Sequence, residues 1–245
     1  MHGKKLSLFL LLLCSRWNHI WLNEGFATYL SNIGNEAIYD KSWVWQYFYY
    51  DYQRRAMIED VGAKLKEKAM VSATSDILTN KDISQMFAYW RVYLRGACML
   101  HMLRSMLGDA AFFSSITDYF TANVYSSAVS RDFWKHLEEP AKKSGLLNNT
   151  NLTIQSMMEI WVNNSGFPEV NVVTDFKRNL VTVFQYRLQW KWTSNDTKEA
   201  AMLWPLWMTF TTWGLGEKMD YMVLESGGKV LPAKLEKWLG RFNSF

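Results

Sequence analysis

The hydrophobic pattern changes character about two-thirds of the way along the chain. From about residue 18 to about residue 163, apolar positions recur at the three- and four-residue spacing of helices with one buried face. Ile20, Trp21, Phe26, Ala27 and Leu30 predict a helix over about 18–34. Trp45, Phe48, Tyr49 and Tyr52 share one side of a second, over about 41–58. Residues 59–82 are more polar and read as short helix mixed with loop. Thr79 followed by Asp82 has the form of a capping box, which opens a long helix over about 82–107 that Gly108-Asp109 stops. Further helices are expected over about 109–122, over about 131–144 with Ser130 as cap, and over about 154–163. After Gly166-Phe167-Pro168 the pattern turns to strands. Glu169–Thr174 and Leu180–Leu188 are rich in β-branched and aromatic residues, and Asp175–Asn179 can turn the chain between them. Trp204–Thr212 and Tyr221–Leu224 are further strand candidates. The expected class is α+β, as two domains joined near residue 166.

Composition narrows the function classes. The 245 residues are 49% hydrophobic and 20% charged, enough for one or two packed domains. The 27 basic and 23 acidic side chains leave a net charge of +4, spread without a long single-sign run. That favours an ordinary solvated surface over a nucleic-acid face, so no nucleic-acid partner is expected. Thirteen Trp, twelve Tyr and fourteen Phe imply a large core, or a face that meets another domain. The two cysteines, Cys14 and Cys98, form no Cys-x-x-Cys pair, which excludes a thiolate zinc site; Cys98 reads as a small buried hydrophobe.

Two features bear on compartment. Lys4-Lys5 followed by the leucine-rich run Leu6–Cys14 resembles a short signal peptide and is too short to span a bilayer. A buried segment and a misjoined reading frame are the competing readings of residues 1–14. Asn148, Asn151, Asn163 and Asn195 each open an Asn-x-Ser/Thr triplet, which favours a glycosylated extracellular or plasma-membrane surface.

Trp17-Asn18-His19-Ile20-Trp21-Leu22-Asn23-Glu24-Gly25-Phe26-Ala27 closely resembles the segment that supplies the third zinc ligand in aminopeptidase N-like gluzincins, the membrane alanyl aminopeptidase family. In that family two histidines of an H-E-x-x-H helix bind zinc, the glutamate between them is the general base, and a later glutamate completes the site. By this resemblance Glu24 is the metal ligand. Tyr93-Leu94-Arg95-Gly96-Ala97 resembles the family's Tyr-x-Lys-Gly-Ala segment, which places Tyr93 as the catalytic donor to the oxyanion. Arg95 stands where the family usually has Lys, and Gly96 and Ala97 are small enough to let a second helix approach. Trp161 and Gly166–Val172 are similar to the family's junction into a β-sandwich, and Trp204-Pro205-Leu206 fits a later strand of it.

The resemblance also has gaps. Counting back eighteen residues from Glu24 puts the family's two histidines at Lys5 and Met1 and its base at His2. No two of His2, His19, His101 and His136 lie four apart. His19 reads as an interface or surface residue, His101 as structural and His136 as solvated. The family's Gly-x-Met-Glu-Asn loop and its C-terminal helical domain have no counterpart in these residues.

The resemblance implies an α+β fold: the helical half of a thermolysin-like catalytic domain over 15–165, then a small, incomplete β-sandwich over 166–245. The implied function is that of a zinc metallo-aminopeptidase fragment that removes N-terminal residues from peptides, with one zinc ligand present and the flanking domains missing. The alternative is an inactive remnant acting as an interaction module.

Overall fold

The computed structural model describes residues 13–14, 16–61, 69–71, 79–88, 90–148, 150–175, 177–178, 180–188, 203–211, 219–224 and 228–232. The chain forms two compact units, Met1–Ser165 and Gly166–Phe245. Helices fill the first and strands the second, so the chain is α+β. Most of the leucine-rich run lies outside the described residues. Its last two, Leu13–Cys14 (β1), pair in parallel with Ser127–Ala128 (β2).

The first unit is built around α1, Trp21–Asn35. Its residues Trp21, Leu22, Phe26 and Tyr29 are fully buried, because apolar side chains three and four apart share one helix face. Trp21 stacks on Trp134 at 5.6 Å, and Phe26 meets Phe120 and Phe133 edge-on at 5.1 and 5.0 Å. These partners lie on α6 (Asp109–Ala122) and α7 (Ser130–Lys143). Such rings stabilise by area removed from water and by about 0.5–1.5 kcal/mol per favourable ring pair.

The expected helix over about 41–58 is one continuous rod in three parts. It runs as α2 (Lys41–Tyr47), a π-helical turn (Phe48–Gln53) and α3 (Arg54–Val61). Asp40 caps it by accepting from the Trp43 N–H at 3.0 Å. The rod turns Phe48 inward and leaves Tyr39, Trp43 and Tyr47 as an exposed ladder with ring spacings of 5.8 Å.

The capping box at Thr79 and Asp82 is present, but the single long helix expected after it is not. α4 (Asn80–Met86) stops, a second π-helical turn spans Trp90–Arg95, and α5 (Gly96–Leu107) follows. The break is stabilised by a side chain: the Arg91 guanidinium donates to the Gln85 carbonyl at 3.1 Å, an acceptor it shares with the Ala88 N–H at 3.3 Å. Gly108, with φ of +78°, separates α5 from α6.

Ser130 does not cap α7 as expected. The Asp132 carboxylate does so, accepting from the Val129 N–H at 3.1 Å, while the Ser130 hydroxyl accepts from the Trp21 indole at 3.0 Å. Thr153 caps α8, Ile154–Asn163. No helix among the described residues is long and apolar enough to cross a membrane.

In the second unit, β3 (Pro168–Asp175) and β4 (Leu180–Arg187) form an antiparallel hairpin in register from Pro168–Arg187 to Asp175–Leu180. Asp175 Oδ1 accepts from the N–H groups of Lys177 and Arg178 at 2.9 and 3.0 Å, which stabilises the turn. β7 (Gly228–Pro232) adds to the free edge of β4, and β5 (Leu206–Thr211) pairs with β6 (Met219–Leu224). β4 buries Val181, Val183, Gln185 and Arg187 on one face. Gln185 holds the Trp204 backbone from both sides, at 2.7 and 3.1 Å.

His101, on α5, lies in an aromatic box. It stacks on Trp45 at 4.5 Å, and its Nε2 is 2.9 Å from the Tyr49 hydroxyl. Burial, reinforced by the nearby Arg104 charge, lowers its pKa from 6.5 to about 4. The unfolded chain therefore binds a proton between those values that the folded chain excludes. Stability should be full above about pH 6.5 and fall by about 3 kcal/mol as pH drops to about 4. Urea unfolding across that range should show this slope, and His101→Gln should flatten it. An unchanged slope in the variant would locate the acid sensitivity elsewhere.

Candidate active site

α1 and the second π-helical turn bring the two residues singled out by the sequence together. Glu24 projects from the first turn of α1 and is half-buried. Tyr93 lies within the π-helical turn, close enough to Glu24 for the carboxylate to act on its phenol. Partial burial, followed by the adjacent Glu24 carboxylate, raises the Tyr93 pKa. The phenol is thereby kept protonated and able to donate.

The short distance between these elements depends on two glycines. A Cβ built on Gly96 would lie 3.0 Å from the Gly25 Cα and 3.4 Å from the Trp21 carbonyl oxygen. One on Gly25 would lie 3.1 Å from both the Gly96 Cα and its carbonyl carbon. The backbones touch one residue after Glu24 and three after Tyr93. The role expected of Gly96 as a small contact residue is thus visible, and Gly25 is its counterpart, which the sequence reading had not singled out. A stripe of small residues at the same level in two helical segments was the available signal.

Arg95 shows the geometric difference between guanidinium and ammonium. It is ion-paired with Asp60 at 3.1 Å and donates to the Trp161 and Asn164 carbonyls at 2.9 and 2.7 Å. Asp60 was also missed, because nothing in its local sequence marks a partner thirty-five positions away.

The histidines are engaged elsewhere. His19 Nδ1 accepts from the Ser130 N–H at 3.3 Å and lies 2.9 Å from the Ser130 hydroxyl. Burial and then the Arg16 charge lower its pKa. A cavity of about 300 Å³ opens beside this pair, between Arg16, Arg131 and Glu159, and Glu24 and Tyr93 are not among its walls. His136 was expected to be solvated, yet it is half-buried edge-on to Tyr119. Among the described residues, no three of His, Cys, Asp or Glu form a group that could hold a metal ion. Glu24 is one candidate donor, and the described residues by themselves do not fit a zinc ion, which needs three protein donors and an open position.

The glycine contact gives a clear sign test. Helix propensity alone would make Gly96→Ala stabilising by about 1 kcal/mol. The opposing backbone cannot rotate away as a side chain can, and such overpacking costs about 1–3 kcal/mol. Gly96→Ala is therefore expected to lower the urea midpoint. A raised midpoint would show that the helices separate freely.

Residues 11–161, which include Glu24 and Tyr93, match the peptidase family M1 domain. The thyrotropin-releasing hormone-degrading ectoenzyme of Rattus norvegicus is 30% identical over 200 residues, covering 79% of this chain and 18% of that protein. Aminopeptidase N of Lactococcus lactis subsp. lactis is 27% identical over 155 residues, covering 63% and 17%. Aminopeptidase N of Mus musculus is 28% identical over 165 residues, covering 65% and 16%. The chain thus spans less than a fifth of the length of these relatives. With more than half of its residues inside the match, the chain belongs to the M1 peptidase family.

Proposed function

We propose that this chain carries the glutamate-bearing helix and the oxyanion-binding tyrosine of a metallo-aminopeptidase that removes N-terminal residues from peptides. The observation that carries the reading is the juxtaposition of Glu24 and Tyr93, whose segments meet at the Gly25–Gly96 contact inside the M1-matched region. Residues 15–165 are then the helical half of a thermolysin-like catalytic domain, and residues 166–245 a β-sandwich domain. The compact units at 1–165 and 166–245 support that division.

Tyr93 is suited to its role by charge. A neutral phenol donates to a developing oxyanion without placing a competing charge beside it, and a donor of this kind contributes about 3–4 kcal/mol to lowering the barrier. Glu24 supplies a fixed carboxylate beside that donor, at the position where the family has its glutamate zinc ligand. Two more donors are needed before the metal could be held, so no catalytic step through the metal is assigned to the described residues.

A second reading, an interaction module without turnover, is favoured by the exposed Tyr39–Trp43–Tyr47 ladder. Stacked exposed aromatics of this kind are typical of association surfaces.

A segment exchange separates the two readings. The 245-residue chain alone is expected to hydrolyse no amino-acid anilide above background. Residues 16–165 placed at the matching positions of the Lactococcus lactis aminopeptidase N should retain turnover. In that chimaera Glu24→Gln should abolish activity, and Tyr93→Phe should lower kcat about 10²–10³-fold with little change in KM. A folded chimaera without activity would reject the enzymatic reading in favour of the interaction module.

The proposed location is an extracellular or plasma-membrane surface. Asn148, Asn151 and Asn163 are exposed, as glycan attachment requires, while Asn195 lies outside the described residues. Chain produced in a eukaryotic secretory pathway should lose mass on treatment with peptide N-glycosidase. Replacing all four asparagines with Gln should remove that loss. Secreted chain whose mass is unaffected by the glycosidase would count against this location.

A further inference from the structure

Arg95 follows Tyr93 by two residues in the same π-helical turn. Its side chain is 5% exposed and that of Asp60 is 2% exposed. Nη1 lies 3.1 Å from Asp60 on α3, while Nη2 donates to the carbonyls of Trp161 and Asn164 at the C-terminal end of α8. The Trp161 carbonyl belongs to the group that a helix end leaves without intrahelical partners and carries the negative end of the helix dipole, and Asn164 is the extended residue that follows the helix. One planar fork therefore ties three segments together: the π-helical turn, α3 and the end of α8. A lysine ammonium is a single point of charge and cannot span the same set with fixed geometry.

The π-helical turn needs such a tie. Its hydrogen bonds close wider rings than those of an α-helix, and isolated turns of this kind are rare because their geometry is less favourable. The turn is held on one side by the contact of Gly96 with Gly25, and on another by Arg95. Tyr93 lies on the same short turn, beside Glu24 across the glycine contact.

We infer that Arg95 is a positioning residue: by clamping the π-helical turn between α3 and the end of α8, it holds the Tyr93 phenol beside the Glu24 carboxylate. The inference rests on the reading of Tyr93 as the oxyanion donor for its functional meaning, though the clamp itself can be tested without turnover.

The full chain labelled with ¹³Cζ-tyrosine provides the readout. Tyr93→Phe identifies the Tyr93 signal among those of the twelve tyrosines, and Glu24→Gln gives its position when the carboxylate charge is lost. Arg95→Met combined with Asp60→Leu removes both buried charges together, which avoids stranding either one. This double variant should melt cooperatively and move the Tyr93 signal most of the way towards its position in the Glu24→Gln chain. Arg95→Lys should produce an intermediate displacement. A folded double variant whose Tyr93 signal stays at its original position would overturn the clamp. Should the double variant fail to fold, Arg95→Lys decides: an intermediate displacement supports the clamp and no displacement overturns it. In the chimaera, the same double variant should lower kcat at least tenfold while leaving KM within about twofold. A chimaera without turnover would defeat the enzymatic reading, and the tyrosine signal would still judge Arg95.

Discussion

Where α1 crosses the junction of the second π-helical turn with α5, Gly25 and Gly96 carry no side chain and approach until a single added carbon would lie 3.0–3.1 Å from the opposite main chain. Everything that gives Glu24 and Tyr93 their relationship follows from that closeness. Glu24 immediately precedes one glycine, and Tyr93 is one turn before the other. A wider crossing would move the carboxylate away from the phenol. The aromatic cluster of Trp21, Phe26, Phe120, Phe133 and Trp134 supports the crossing by fixing the rotation of α1. Large side chains set the orientation and absent ones set the distance.

Buried charge in the helical unit is organised around arginine. Arg95 joins Asp60 to the end of α8, and Arg104 joins Asp109 at 2.8 Å to Glu36 at 3.7 Å, with the Tyr29 hydroxyl 3.5 Å away. Glu36 also accepts from the Trp45 indole. Taking ions out of water is costly, and such groups are tolerated where several hydrogen bonds meet them. Here each guanidinium bridges separate helices, so each arginine specifies which segments meet.

The outline of the fold was legible because period and punctuation agreed. Asp109–Ala122 lies between Gly108 and a polar turn, and both Leu180–Arg187 and its turn at Asp175 carry strong local signals. The interruption between Met86 and Trp90 was not legible, since it depends on Arg91 reaching the Gln85 carbonyl and on a widened turn that keeps a helical pattern of apolar residues. Ser130 was misread for a similar reason: a serine before a helix has cap chemistry, but Trp21 and His19 from a distant segment engage it. The candidate site was legible as two motifs, Glu24 and Tyr93. Their closeness, the role of Gly25 and the partnership of Arg95 with Asp60 depend on pairings between residues far apart in sequence, which no local pattern encodes.

Gly166, the first residue of the second unit, has φ of +88°, and the place where a Cβ would stand is 2.7 Å from Nε of the fully buried Arg187. The side chain that shapes this residue's surroundings arrives from the far end of the β3–β4 hairpin. Gly166 and Arg187 take up their mutual packing only once that hairpin has closed. Hairpins of this kind form in about 1–10 μs. The second unit is therefore expected to fold from its turn outward, with Gly166 settling last.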